Sequence, residues 1–334
     1  MLGLKLIQID ITERCNLRCK YCRATLQPKL NEMSEKEVFN LLQQIKNIGV
    51  SRIVFAGGEP FFREDFFEIL RKCKELGFFV GVISNGTLIN EDTAKRLREI
   101  GIDRVQVSLD GPQKINDVLR GKGTFEKAVN GIKNLLRQKV KTGVRITLTR
   151  LNYPYVLELI KFLESIGVKN VAIRMVMPVG RAKNKWKQLA LPVRKYVQIM
   201  EKLFRECTIS VESGDPLLVI HNEKLLKKIK KAGNVKKGEV LAGCLAGVAT
   251  LFINAQGTVF PCASLPLPLG SVKEKPLKEI LENSRVIKEL QNYKELLKGK
   301  CGKCTFKWIC GGCRAVTYAI RKDLFASDPR CRIC

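Results

Sequence analysis

Cys15, Cys19 and Cys22 stand in the run Cys-Asn-Leu-Arg-Cys-Lys-Tyr-Cys, directly after a short apolar stretch. A [4Fe–4S] cluster takes four thiolates. Three thiolates on one tight loop hold three irons and leave the fourth iron open to a substrate or cofactor. The spacing therefore points to catalysis rather than to electron storage. Zinc asks for four ligands in closer pairs, usually mixed with histidine. Plant-type ferredoxin spacing is one residue longer in the first gap.

A second motif, Ala56-Gly57-Gly58-Glu59-Pro60, closes a predicted strand at Arg52 to Phe55. Glycines lack a Cβ and let the backbone approach a ligand closely. Glu59 can accept from an ammonium, and Pro60 stiffens the exit from the turn. The cysteine run, with Tyr21 before its last cysteine, and the Gly-Gly-Glu-Pro turn one strand later together resemble the radical S-adenosylmethionine (SAM) enzymes. The likeness continues across almost the whole chain. It implies a [4Fe–4S] cluster on Cys15, Cys19 and Cys22 whose open iron binds SAM, reductive cleavage to a 5′-deoxyadenosyl radical, and hydrogen abstraction from substrate. It places Gly58 and Glu59 at the methionine moiety, and Asn85 and Ser108 near the sulfonium and ribose. Arg120 falls where relatives hold the SAM carboxylate, a task its guanidinium suits by bidentate pairing; the plain alternative is a surface arginine. Met177 is placed at adenine, or else in the core. Relatives often carry His-Asp before the Arg-Gly pair, where this chain has Asn116-Asp117.

The chain has 13 cysteines. Eight are C-terminal: Cys244, Cys262, Cys301, Cys304, Cys310, Cys313, Cys331 and Cys334. Their order resembles the SPASM extension, which carries two auxiliary iron–sulfur clusters; two zinc sites of four cysteines are the rival reading. The resemblance assigns Cys244, Cys262 and Cys313 to an inner cluster and Cys301, Cys304, Cys310 and Cys331 to an outer one. No cysteine stands just upstream of Cys244, so the inner cluster has an open iron or is completed by Cys334. Gly257 is expected to turn a hairpin between Leu251–Asn254 and Thr258–Pro261. Cys73 and Cys207 are read as structural.

These loops need a scaffold. Short strands rich in β-branched residues are predicted at Leu6–Ile11, Arg52–Phe55, Phe79–Ser84, Arg104–Leu109, Arg145–Thr149 and Val171–Val176, with amphipathic helices between them. Ser34 and Glu37 form a capping box for the first helix, and a helix from Arg194 to Cys207 ends the alternation. The fold class is α/β: a partial (βα)6 TIM-type barrel with a C-terminal cysteine-rich SPASM-like iron–sulfur domain. Chemistry in such barrels sits at the C-terminal strand ends. The cysteine loop, Gly57–Pro60, Ser84-Asn85-Gly86 and Ser108-Leu109-Asp110-Gly111 all lie there. Boundaries are expected at 1–210 for the barrel, 211–243 for a basic connector and 244–334 for the cysteine-rich domain.

With 45% hydrophobic and 28% charged residues, the composition is that of a soluble globular protein. No apolar run is long enough to span a bilayer, and no signal layout opens the chain; a cytoplasmic location with no membrane partner is expected. Reducing cytosol keeps thiols free, so the grouped cysteines read as metal ligands. The one histidine, His221, is read as an ordinary loop or helix-end residue and argues against histidine acid–base chemistry. A net charge of +28 attracts acidic partners, such as a ferredoxin- or flavodoxin-like electron donor or a polycarboxylate substrate. The basic run Lys224–Lys237 reads as a solvated helix face, and no nucleic-acid motif accompanies it.

The tail Cys310-Gly-Gly-Cys313-Arg-Ala and Asp328-Pro329-Arg330-Cys331 most resembles SPASM enzymes of haem and modified-tetrapyrrole synthesis. That likeness implies oxidation or decarboxylation of a carboxylate-rich small molecule, with the auxiliary clusters as electron sink or substrate site. Peptide-modifying maturases, of the ribosomal-peptide or sulfatase type, share the cysteine framework and are the alternative. A strand beginning by residue 6 leaves no N-terminal peptide-recognition domain, which favours a small molecule. A non-catalytic electron-transfer protein is a more distant alternative.

Overall fold

The computed structural model describes residues 3–24, 31–221, 227 and 243–331. Six parallel strands lie side by side in chain order: β1 (Leu6–Asp10), β2 (Arg52–Ala56), β3 (Phe79–Ser84), β4 (Arg104–Ser108), β5 (Thr142–Leu148) and β6 (Asn170–Met175). Helices α1 (Glu35–Asn47), α2 (Phe66–Glu75), α3 (Glu91–Ile100), α4 (Gln113–Arg120), α5 (Thr124–Arg137) and α6 (Val156–Ser165) run between them. Among the described residues the sheet does not close. β7 (Ser210–Glu212) adds parallel to β6 at one edge. At the other edge β8 (Thr250–Ile253) adds parallel to β1, followed by β9 (Thr258–Phe260) and β10 (Gly270–Ser271).

Side chains alternate across each strand. One set faces the helices and is apolar: Ile7, Ile9, Ile53, Phe55, Val80, Val82, Val105, Val107, Val144, Ile146, Val171 and Ile173 are buried in a single core with Leu41, Leu70, Leu97 and Ile132 from the helices. Phe55 and Phe66 meet edge to face with centroids 5.7 Å apart. The opposite set faces the open side; it presents apolar Val54 and Ile83 on β2 and β3, and is polar on the other strands, with Gln8, Asp10, Gln106, Ser108, Arg145, Thr147 and Arg174. Burial on one face only thus fixes the register and leaves a wet concave surface for function.

Two parts of the sequence reading change. The alternation does not stop at residue 208: Val211 centres a three-residue edge strand, too short and too polar at its flanks to show a period. Pro216, Leu217 and Leu218 then bury in the turn Pro216–His221. The run Leu251–Asn254 does pair antiparallel with β9, but it also extends the barrel sheet. The basic run lies almost wholly outside the described residues, as does Cys334. His221 ends the turn, with Nδ1 2.8 Å from Glu201 Oε1.

The Ser34 hydroxyl accepts from Glu37 N–H at 3.3 Å, and Glu37 Oε2 accepts from Ser34 N–H at 2.7 Å. Removing that cap by Ser34→Ala should cost about 1 kcal/mol, measured as a lower midpoint in anaerobic urea unfolding.

Candidate active site and auxiliary metal centres

The cysteine loop leaves β1 and folds back onto the turn after β2. Gly58 N–H donates to Thr12 O and Glu59 N–H to Arg14 O, both at 2.8 Å. A Cβ on Gly57, whose φ is +146°, would overlap the Thr12 carbonyl, and one on Gly58 would overlap Arg14. The sequence reading reserved this close approach for a ligand; the structure gives it to the root of the cysteine loop. Arg63, buried, donates to Ile11 O at 2.9 Å and pairs with Asp65. Further along, Lys20 N–H donates to Leu119 O at 2.9 Å.

Cys19 is buried, and Cys15 and Cys22 are half-buried. Burial pushes the Cys15 thiol up to about 11 and raises Cys19 as well. Such thiols keep their protons until a metal displaces them. Cys15 Sγ lies 4.0 Å from Asn85 Nδ2, which also donates to Asn16 at 2.8 Å. Glu59 is fully buried and accepts from Ser84 Oγ and Asn85 N–H, both at 2.7 Å. Desolvation lifts its carboxyl to about 7 despite those bonds. Glu59 therefore ties the β2 and β3 loops together beside Cys15.

Arg120 is not a surface arginine. It is buried, pairs with Asp110 at 2.9 Å and donates to the Tyr21 hydroxyl at 2.6 Å. The same hydroxyl donates to Asp110 Oδ2, while Asp110 Oδ1 accepts from Thr147 N–H at 2.6 Å. This knot joins the cysteine loop, the end of β4, α4 and β5. The spacing of Tyr21 and Asp110 had no way to announce it, since the pair lies 89 residues apart. Asn116 caps Asp110 N–H at 3.0 Å, a positioning task for the residue pair where relatives carry His-Asp. Ser108 is half-buried on the concave face, level with Arg145. Met177 packs against the C-terminal core rather than the barrel core.

In the C-terminal region Cys301, Cys304, Cys310 and Cys331 line one pocket with Gly311 and Gly312. Cys244, Cys262 and Cys313 form a separate group in which Cys244 lies within electrostatic reach of the other two. Asp328 holds this region together: its carboxylate accepts from Cys313 N–H at 2.8 Å and pairs with Arg330 at 2.9 Å. Arg330 also grips Asp215 through two bonds of 2.7 and 3.1 Å. Among the described residues, no three Cys, His, Asp or Glu side chains converge on the point a single metal ion would occupy. Cys73 is buried in α2, and Cys207 caps the helix Val193–Glu206.

Residues 9–163 match the radical SAM superfamily, and residues 244–305 match SPASM, an iron–sulfur cluster-binding domain. The sequence is 32% identical to the AdoMet-dependent heme synthase of Oleidesulfovibrio alaskensis over 98% of this chain and 87% of that protein. This chain belongs to the radical SAM superfamily. It is 27% identical to the mycofactocin maturase MftC of Mycobacterium tuberculosis, over 96% of this chain and 81% of the relative. The crystal structure of Streptococcus suis SuiB bound to S-adenosylmethionine shares its fold, with a TM-score of 0.81 at 20% identity, covering 100% of this chain and 78% of that one. The protein is thus a radical SAM enzyme with a SPASM iron–sulfur domain. None of its described helices is long and apolar enough to cross a membrane.

The residues present fit anionic clusters. Arg181 donates its backbone N–H to Cys22 O at 2.9 Å, yet its Nε and Nη2 are buried without a partner among the described residues. Arg314, fully buried next to Cys313, likewise has Nε and Nη2 without a partner among the described residues. Unsatisfied buried donors are costly, and the sulfides of a cluster are acceptors that would satisfy them.

Two outcomes follow from this geometry. Gly58→Ala should push the cysteine loop off its seat, so the anaerobically reconstituted variant should bind about four fewer irons per chain with an unchanged far-ultraviolet spectrum. Asp110→Asn leaves the Arg120 guanidinium buried beside a neutral amide. Unfolding free energy should fall by about 3–5 kcal/mol, as measured by urea denaturation.

Proposed function

We propose that this radical SAM enzyme oxidises or decarboxylates a carboxylate-rich small molecule of the tetrapyrrole class. The observation that carries the reading is the extended likeness to an AdoMet-dependent heme synthase, which spans both the barrel and the cysteine-rich region. When bound, a cluster on Cys15, Cys19 and Cys22 supplies the electron that splits SAM and so the 5′-deoxyadenosyl radical that takes hydrogen from substrate.

The chain's own residues hold and orient. Gly58 and Glu59 set the cysteine loop against β2, and Glu59 with Asn85 shapes the wall beside Cys15. Ser108 and Asn85 are assigned to the sulfonium and ribose, Arg120 to the SAM carboxylate, and Met177 to the adenine side. Arg181 would donate to the anionic cluster and Arg314 to its inner auxiliary counterpart. Cys244, Cys262 and Cys313 would hold that inner cluster, with Cys334 as its fourth ligand or an open iron in its place. Cys301, Cys304, Cys310 and Cys331 would hold the outer one. Together these would take up the electron left over when a propionate loses carbon dioxide after hydrogen abstraction. The division into a barrel at 1–210, a connector and a cysteine-rich domain from 244 follows the same assignment. A net charge of +28 suits an acidic ferredoxin- or flavodoxin-like donor, and the abundance of free thiols suits the reducing cytoplasm.

A peptide-modifying role is the second reading, favoured by the likeness to mycofactocin maturase. The deciding assay is anaerobic. Reconstituted, reduced enzyme is given SAM and iron coproporphyrin III, and 5′-deoxyadenosine and porphyrin mass are followed. The proposal requires 5′-deoxyadenosine in wild type and none in Cys19→Ala, together with loss of carbon dioxide from the porphyrin. 5′-Deoxyadenosine without any change in the porphyrin would sink the tetrapyrrole reading and leave the peptide one standing.

A further inference from the structure

Among the described residues, two arginines on the concave face form no pair with an acid. Arg145 lies in β5 and Arg174 in β6. The parallel register sets Arg145 beside Ala172 and Thr147 beside Arg174, so the two guanidiniums leave adjacent strands on the same side, one rung apart. Arg145 is half-buried and Arg174 is open to solvent. Among the described residues neither makes an ion pair or a side-chain hydrogen bond. The acids within reach are spent: Asp110 on Arg120, Tyr21 and Thr147 N–H, and Asp10 on Arg23 at 2.5 Å. Arg104, two rungs below Ser108 on β4, has Glu212 at 3.6 Å.

Burial and the nearby charges of Arg174 and Arg23 lower the Arg145 pKa to about 9. Burial and two neighbouring cations outweigh the pull of Tyr21 and Asp110 on Arg145, an unfavourable arrangement that a carboxylate relieves through two parallel N–H···O bonds. The place is informative as well. Arg145 pairs in register with Ser108, and Asp110 and Tyr21 lie within electrostatic reach of it. An anion seated there therefore sits next to the cysteine loop, with Arg174 on its solvent side.

Resting on the function proposed above, we infer that Arg145 and Arg174 form a clamp for a carboxylate of the substrate, anchoring one acidic arm while another part of the molecule faces the cysteine loop. The carboxylate of SAM is the other source of the same chemistry.

The test uses the reconstituted holoenzyme and two probes, coproporphyrin III and its tetramethyl ester, with binding followed in the Soret band. Wild type should bind the acid at least about tenfold tighter than the ester. Arg145→Gln and Arg174→Gln should each lose about tenfold for the acid and nothing for the ester, with iron content and SAM affinity unchanged. Arg145→Lys, which keeps the charge and loses the fork, should fall between. Equal binding of acid and ester by wild type would overturn the clamp while leaving the tetrapyrrole reading intact. An equal loss of acid and ester in the variants would make the arginines structural, and a loss of SAM affinity would assign them to SAM; either result overturns the inference. Butane-1,2,3,4-tetracarboxylate, titrated by calorimetry, separates the remaining cases. If no porphyrin binds but this tetracarboxylate binds wild type and not Arg145→Gln, the clamp stands and the tetrapyrrole reading fails. If wild type binds neither, the clamp falls.

Discussion

The seam between the backbone of Thr12–Arg14 and the backbone of Gly57–Glu59 governs the site. Two main-chain hydrogen bonds cross it, and at Gly57 and Gly58 there is no room for a Cβ. A side chain can change rotamer to make way, but a carbonyl in a hydrogen-bonded turn cannot. The glycines therefore fix the cysteine loop at one distance from β2. Glu59, the next residue, carries that constraint to the β3 loop through Ser84 and Asn85. Tyr21, Asp110 and Arg120 carry it on to β4 and β5. The Cys15–Cys22 loop is thereby tied by hydrogen bonds to five strands' worth of scaffold, although it has no regular structure of its own.

The scaffold serves the site in a second way. Because the helices cover only one face of the sheet, the other face is free to be polar, and it carries charge where an ordinary barrel would pack aliphatic side chains. β8 then joins the edge of the same sheet beside β1. This brings the SPASM region next to the cysteine loop: Arg23, the residue after Cys22, pairs with Asp10, lies 4.9 Å over the Phe252 ring, and lies within electrostatic reach of Cys262. The β1–β8 pairing and Arg23 thus couple the chain's two ends, together with bonds such as Leu277 N–H to Gln44 at 2.7 Å and the Lys273–Glu37 pair at 3.4 Å. At the far side, the Asp215–Arg330–Asp328 network, nearly closed to water, clamps the tail onto the segment that follows β7.

Much of this was legible in the residue order. The cysteine spacing, the Gly-Gly-Glu-Pro turn and the six strand–helix repeats are local patterns, and local patterns survive without coordinates. What stayed hidden depends on pairing across long separations. β7 has one apolar residue, and its strand character comes from lying beside β6. β8 reads as half of a hairpin, and only the fold shows its second, parallel partner at the start of the chain. Arg145 reads as the first residue of a strand; in the structure β5 begins at Thr142, and the register then turns Arg145 to the concave face beside Ser108. The burial of Arg120 could not be read either, because its acid belongs to another loop and its hydroxyl partner to the cysteine run. The glycine pair was recognised, but its neighbour is a stretch of main chain, which leaves no mark in a sequence.

The central claim is that the cysteine loop presents one open iron to SAM. Electron paramagnetic resonance of the reduced, reconstituted enzyme tests it most directly. On this account, adding SAM shifts the signal of one cluster and leaves the others untouched, and the shifting signal is missing when Cys15, Cys19 and Cys22 are replaced together by alanine. A spectrum that SAM leaves unchanged, or a shift that persists without those three cysteines, would contradict it.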